Sequence, residues 1–199
     1  MAKARAKLDP THVQLQLKVT LLDINPTIWR RLLVPATIKL PKLHTVLQLA
    51  FGWTNSHLHA FRLGEDSYEA NPPKDTFAGL FGSDDQHHDE KKFRLCDLLH
   101  APEDWLIYEY DFGDGWQHEV LVEKLLPGTA TKTVTCLAGA RAGPPDDCGG
   151  PPGYDNLLEA ITDPKHPDHQ HLVDWLGDPF DPKAFSLDGL NKSLNNFKI

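Results

Sequence analysis

The 199-residue chain is long enough to bury about 70% of its unfolded surface, so a stable core requires neither a disulfide nor a metal. Hydrophobic residues make up 40% and charged residues 24%, which fits a soluble globular protein and excludes a disordered or fibrous one. Twenty basic against 28 acidic residues give a net charge of -8, which disfavours broad electrostatic binding to duplex DNA or anionic membrane.

The basic start, residues 1–7, runs into Leu8-Asp9-Pro10 where a signal peptide needs its apolar region, and no apolar stretch reaches membrane-span length. The expectation is a cytoplasmic protein with no membrane partner. Residues 12–22 alternate, with Val13, Leu15, Leu17, Val19 and Leu21 on one face, and predict a half-buried strand that Asn25-Pro26 breaks. A second strand runs from Ile28 to Val34 through Trp29-Arg30-Arg31. Pro41 opens a helix on which Leu43, Val46, Leu47 and Ala50 share a face, and Gly52 ends it. The segment from His57 to Leu63 alternates again, and Tyr68-Glu69-Ala70 can pair with it. Residues 71–92, with two prolines, two glycines and an acidic and histidine-rich run, read as a solvated loop. A short helix over Leu95–Leu99 follows.

Residues 105–122 form two β-rich runs around Asp114-Gly115, a dipeptide suited to a two-residue type I′ turn. That turn places Gly113 opposite Trp116, Phe112 opposite Gln117 and Asp111 opposite His118, with Trp116 and Asp114 exposed at a sheet edge. Residues 136–153 contain five glycines and four prolines, and predict a shaped loop packed on the sheet rather than regular structure. Helices are expected over Asp155–Ile161, Pro167–Leu176 and Leu187–Phe197, the last with Ser186 as N-cap. The fold class is therefore α+β, a mostly antiparallel sheet with a helix packed from the N-terminal half and a helical C-terminal extension. One domain is expected over residues 1–199, with a sheet-and-helix core at 12–126 and the Pro/Gly loop and helices at 127–199.

Ile28-Trp-Arg-Arg-Leu32, Phe51-Gly-Trp53 with His57-Leu-His59, Tyr110-Asp-Phe-Gly-Asp-Gly-Trp-Gln-His118, the run from Cys136 to Gly150, and Gly153-Tyr154 occur in this order. Together they resemble the plasmid Ri Orf-three-like family, over roughly residues 12–197. Members also carry insertion-element passenger or resolvase-like labels. The resemblance implies an α+β domain carried on plasmids and mobile elements, with no established activity. The residues speak against recombinase chemistry. The first serine is Ser56, the chain has six arginines, and His59-Ala-Phe-Arg62 falls in a strand rather than a helix.

Several groups could carry chemistry. His57 and His59, two apart on one strand, would share a face, and Asp111 and His118 would meet across the hairpin. Such a patch could ligate zinc or iron or serve as an acid–base pair, with Asp111 and His118 as the catalytic candidates. It could equally be a structural hydrogen bond beside a polar rim. Cys136 and Cys148, with eleven residues between them, could be buried thiols, a disulfide, or zinc ligands joined by His57, His59 or His118. His166, His169 and His171 read as solvated surface. The Asp-Phe-Gly at 111–113 lacks the other parts of a kinase, and no phosphate-binding glycine motif or esterase elbow occurs. The leading expectation is a binding module with an aromatic and acidic surface built from Trp53, Asp114, Trp116, Arg141, Asp146 and Asp147. Its ligand would be a protein or small molecule, and no cofactor is expected. The rivals are a metal-dependent hydrolase, with zinc at the Asp/His patch, and a nucleic-acid-binding or recombination-accessory protein using Arg30, Arg31, Lys39 and Lys42.

Overall fold

A computed structural model describes residues 9–72, 86–128 and 133–198. Its spine is an eight-stranded sheet in the order β5-β4-β3-β6-β7-β1-β2-β8. The strands are β1 (Val13–Leu21), β2 (Trp29–Pro35), β3 (His59–Leu63), β4 (Asp66–Glu69), β5 (Gln86–Asp89), β6 (Trp105–Tyr110), β7 (Trp116–Pro127) and β8 (Thr135–Ala140). All neighbours pair antiparallel except β4 and β5, which are parallel. Five α-helices accompany them among the described residues: α1 (Leu40–Phe51), α2 (Leu95–Leu98), α3 (Gly150–Thr162), α4 (His169–Leu176) and α5 (Leu187–Asn196).

Strict alternation in β1 buries Val13, Leu15, Leu17, Val19 and Leu21 and leaves the intervening polar residues on the other face. At about 1.5–3 kcal/mol for each fully buried aliphatic side chain, this strand anchors the core between β7 and β2. Helix α1 starts with Pro41 in its first turn and lays Leu43, Val46, Leu47 and Ala50 on the sheet. It ends where Gly52 takes a left-handed conformation (φ 82°), its N–H bonding Gln48 O at 2.9 Å. His44 and Gln48 both bond the buried Tyr108 hydroxyl, which sets α1 across β6.

Four features depart from the sequence-based expectation. The hairpin ladder closes at Tyr110–Trp116, so Tyr108, not Asp111, opposes His118. Asp111 takes a left-handed conformation (φ 54°), and its Oδ1 accepts from Gly113 N at 3.0 Å, which ends the ladder early. A five-residue connection thus replaces the two-residue turn, Gly115 N donating to Asp111 O at 2.6 Å. Residues 136–140, expected to be irregular, belong to the edge strand β8 against β2, so the sheet extends past residue 126. Gly139 admits the Phe185 ring there, since a Cβ would lie 2.6 Å from Phe185 Cζ. The amide of Asn191 on α5 bonds both the N–H and the C=O of Cys136, covering part of the exposed edge. Helix α3 begins five residues before the expected Asp155, because Pro151 and Pro152 need no N–H partner in a first turn.

Within the expected 71–92 loop, Gln86–Asp89 instead forms β5, and residues 73–85 lie outside the described part of the chain. No helix among the described residues is long and apolar enough to cross a membrane.

Candidate functional site

Three connections meet at one end of the sheet: the segment 52–58 between α1 and β3, the hairpin connection 111–115, and the segment 141–149 leading into α3. The helix end at Gly52 turns Trp53 inward, and its Nε1 donates to Pro144 O at 2.9 Å. Thr54 donates its N–H and hydroxyl to Asp146 Oδ2, at 3.0 and 2.7 Å. Asp114 Oδ2 accepts from Gly149 N at 3.1 Å, which ties the hairpin to the start of α3. Gly150 makes that approach possible, because a Cβ there would lie 2.3 Å from Asp114 O. Trp53 stacks on Tyr110 at 4.8 Å and lies 6.0 Å from Trp116.

Six buried side-chain atoms lack a hydrogen-bond partner among the described residues: His57 Nε2, Trp116 Nε1, His118 Nε2, Arg141 Nε, Asp146 Oδ1 and Tyr154 OH. The first and the last three lie on the three connections or at the start of α3. Trp116 and His118 border them through Trp53. Four of the six non-glycine residues with positive φ among the described residues also sit here: Asn55, Asp111, Arg141 and Asp147. Each unpaired buried polar group costs about 1–3 kcal/mol, and backbone in sparsely populated regions tends to collect at binding and catalytic sites.

The sequence-predicted site residues divide into two groups. His57 and Asp111 do come together, with His57 Nδ1 3.6 Å from Asp111 Oδ2 and Nε2 3.0 Å from Asp147 Oδ1. The Nε2 contact lacks hydrogen-bond alignment. These three residues are the one group of three or more metal-ligand side chains among the described residues. His59 and His118 lie elsewhere. The ladder begins only at His59, so His57 is not on the strand, and His59 points into the core. There it bonds Glu90 at 3.0 Å and stacks on His44 at 3.5 Å. His118 is fully buried and its pKa is pushed down to about 3, chiefly by burial. Its Nδ1 donates to Tyr108 O at 3.2 Å, which leaves Nε2 as an acceptor with no donor.

Trp116 is 1% exposed, not displayed at an edge. The wider hairpin connection rotates its ring onto the core face beside Trp53. Cys136 and Cys148 are both free. Cys136 faces inward on β8, while Cys148 lies beside Asp114, and its pKa is pushed up to about 12 by burial and then by the carboxylates of Asp114, Asp146 and Asp147. That thiol is a poor nucleophile. Tyr154, unremarked in the sequence beyond its Gly-Tyr motif, is raised by burial, with the nearby Arg141 guanidinium pulling the other way. A cleft of about 180 Å³ adjoins Asp147 and Cys148 and is walled by Leu157, His171, Leu172 and Trp175. His171 reads from the sequence as solvated surface and Trp175 is not singled out, because the place of both depends on how α4 packs on α3.

Arg30 and Arg31 are adjacent on β2 and so face opposite ways, and Arg31 is held by Glu123 at 2.6 and 2.7 Å. Lys39 and Lys42 each donate to a backbone carbonyl, of Lys91 and Lys198 respectively.

The family model for plasmid pRiA4b ORF-3-like proteins matches residues 13–189. The chain is 37% identical over 188 residues to the uncharacterized protein y4hQ of Sinorhizobium fredii, covering 91% of this chain and 90% of that protein. It also resembles the crystal structure of a protein of unknown function, MM3350, from Methanosarcina mazei Go1. The TM-score is 0.75 at 34% identity, over 88% of this chain and 96% of that one.

Proposed function

The chain belongs to the plasmid pRiA4b ORF-3-like family, and from that premise we propose that it is a binding module whose ligand is held where the three connections meet. The single observation that carries this reading is the concentration of unpaired buried polar atoms there. Trp116 Nε1 and Arg141 Nε are donors, Tyr154 OH can donate, and Asp146 Oδ1 is an acceptor. That set suits a peptide-like ligand, a small molecule or a protein loop, offering a carbonyl or carboxylate to the donors and an N–H to Asp146. The adjoining cleft gives access beside Asp147 and Cys148.

A thermal-shift panel of free amino acids, dipeptides and their amides tests it. At least one class is expected to raise the midpoint of the wild type and to leave Asp146→Ala unmoved. Equal shifts in both proteins would remove the cluster from the reading.

The second reading is a divalent-metal site at His57, Asp111 and Asp147, whose ligand atoms all lie within 4.8 Å of one another. Three protein ligands with an open position is the arrangement of a hydrolytic zinc centre. A one-to-one rise in stability with zinc, abolished in His57→Ala, favours it over the organic-ligand reading. Its acid–base partner would be a group other than His118, which is fully buried.

A further inference from the structure

A second, open pocket of about 520 Å³ lies between the C-terminal end of α1, the 141–145 segment and residues 180–193. Its size falls in the range of small-molecule sites. Phe51, Phe180 and Phe185 give it an apolar wall, and Ser186 and Ser193 add two hydroxyls. One charged side chain lines it, that of Arg30, and no carboxylate does, in a chain whose net charge is -8.

Arg30 is only 3% exposed and forms no ion pair with any described carboxylate. Its guanidinium donates to four carbonyls: Nε to Ala50 O at 2.7 Å, Nη1 to Trp29 O and Ala140 O at 2.8 and 2.9 Å, and Nη2 to Arg141 O at 2.8 Å. A guanidinium has five N–H groups, so four bonds leave one Nη2 hydrogen to spare. Phe51 and Phe185 flank the cation, with ring centroids 5.1 and 4.5 Å from Cζ. Carbonyl dipoles and ring faces orient a cation but do not neutralise it. Burial accordingly draws the guanidinium pKa down to about 10. Four carbonyl bonds explain how Arg30 fastens α1 to β2 and β8. They do not explain an uncompensated charge facing a cavity free of acidic groups.

We propose that this cavity is a second ligand site, separate from the loop cluster, that takes a small organic acid. The carboxylate would sit against Arg30 and the apolar body among Phe51, Phe180 and Phe185. An apolar pocket with a single oriented cation selects for that combination, and a charge-assisted bond from guanidinium to carboxylate is about twice as strong as a neutral one.

Isothermal titration with 3-phenylpropionate, hexanoate and indole-3-acetate, each beside its primary amide, provides the test. At least one acid is expected to bind one-to-one, and to bind about tenfold or more tightly than its amide. Because replacing Arg30 would also loosen the fold, the variant used is Ser193→Phe, an exposed α5 position whose larger side chain fills the cavity. It is expected to keep the wild-type circular dichroism spectrum and midpoint and to lose acid binding. Absence of binding by all three acids, equal binding of acid and amide, or binding unchanged in a folded Ser193→Phe would each overturn the proposal.

Discussion

Gly150→Ala is expected to lower the unfolding free energy by about 2–5 kcal/mol and to disconnect the hairpin from α3. Gly150 has a left-handed backbone (φ 68°), which costs an alanine about 1–2 kcal/mol. Its Cβ would also lie 2.3 Å from Asp114 O, a backbone atom that cannot swing aside, and overpacking of that kind adds about 1–3 kcal/mol. Gly52→Ala is the internal control. Gly52 is also left-handed (φ 82°, ψ 24°) with nothing within 4 Å of the would-be Cβ, so it isolates the backbone term. Urea unfolding should therefore show a small loss for Gly52→Ala and a clearly larger one for Gly150→Ala. Equal losses would mean that the turn and the helix are not in obligate contact.

Between pH 7 and pH 5 the protein is expected to lose about 4 kcal/mol of stability through two buried histidines. Burial holds His118 down to about 3 and His44 down to about 4, the latter helped by the neighbouring His59. Both folded-state values lie below the ordinary value of 6.5, so unfolding takes up protons in this window. The stabilising contribution is complete above pH 6.5 and declines as the pH falls toward the folded-state values. Each ring contributes about 2 kcal/mol between pH 7 and 5. The midpoint should drop by roughly 10 °C, with close to two protons absorbed per molecule unfolding at pH 5. A flat stability between pH 5 and 7 would show that the rings are hydrated or charged in the native protein. Replacing His118 with leucine should remove about half of the pH dependence.

Much of the fold was legible because burial imposes periodicity. The alternation at 13–21 and the i, i+3, i+4, i+7 face of α1 led directly to β1 and to the helix that covers the sheet. The hairpin was legible as a hairpin but not in its register. Register was fixed by Asp111, whose left-handed backbone and side-chain bond to Gly113 N leave no mark in the local hydrophobic pattern. That shift separates Asp111 from His118 and divides the expected Asp/His patch. His57 and Asp111 still meet, and Asp147, which no spacing argument connects to them, lies at the other nitrogen of the His57 ring. Strand β8 was hidden by its glycine and alanines. In Gly139 the missing side chain marks the seat of Phe185, not a turn, and only the packing of the later segment reveals it. The acidic residues at 146 and 147 were legible as site candidates. Their geometry depends on the path of the 141–149 segment, and that path is set by close backbone approaches at Gly143 and Gly153.

The most direct test of the loop cluster as a binding site is the urea-unfolding free energy of Tyr154→Phe in the absence of added ligand. The substitution deletes a buried hydroxyl that the nearby Arg141 guanidinium approaches without hydrogen-bond alignment, and keeps the ring that packs in the core beside Phe180. A hydroxyl reserved for a ligand is a burden to the free protein, so the variant should be more stable than wild type by about 1 kcal/mol. A loss of about 1 kcal/mol or more, the outcome for a hydroxyl bonded within the fold, would contradict the account.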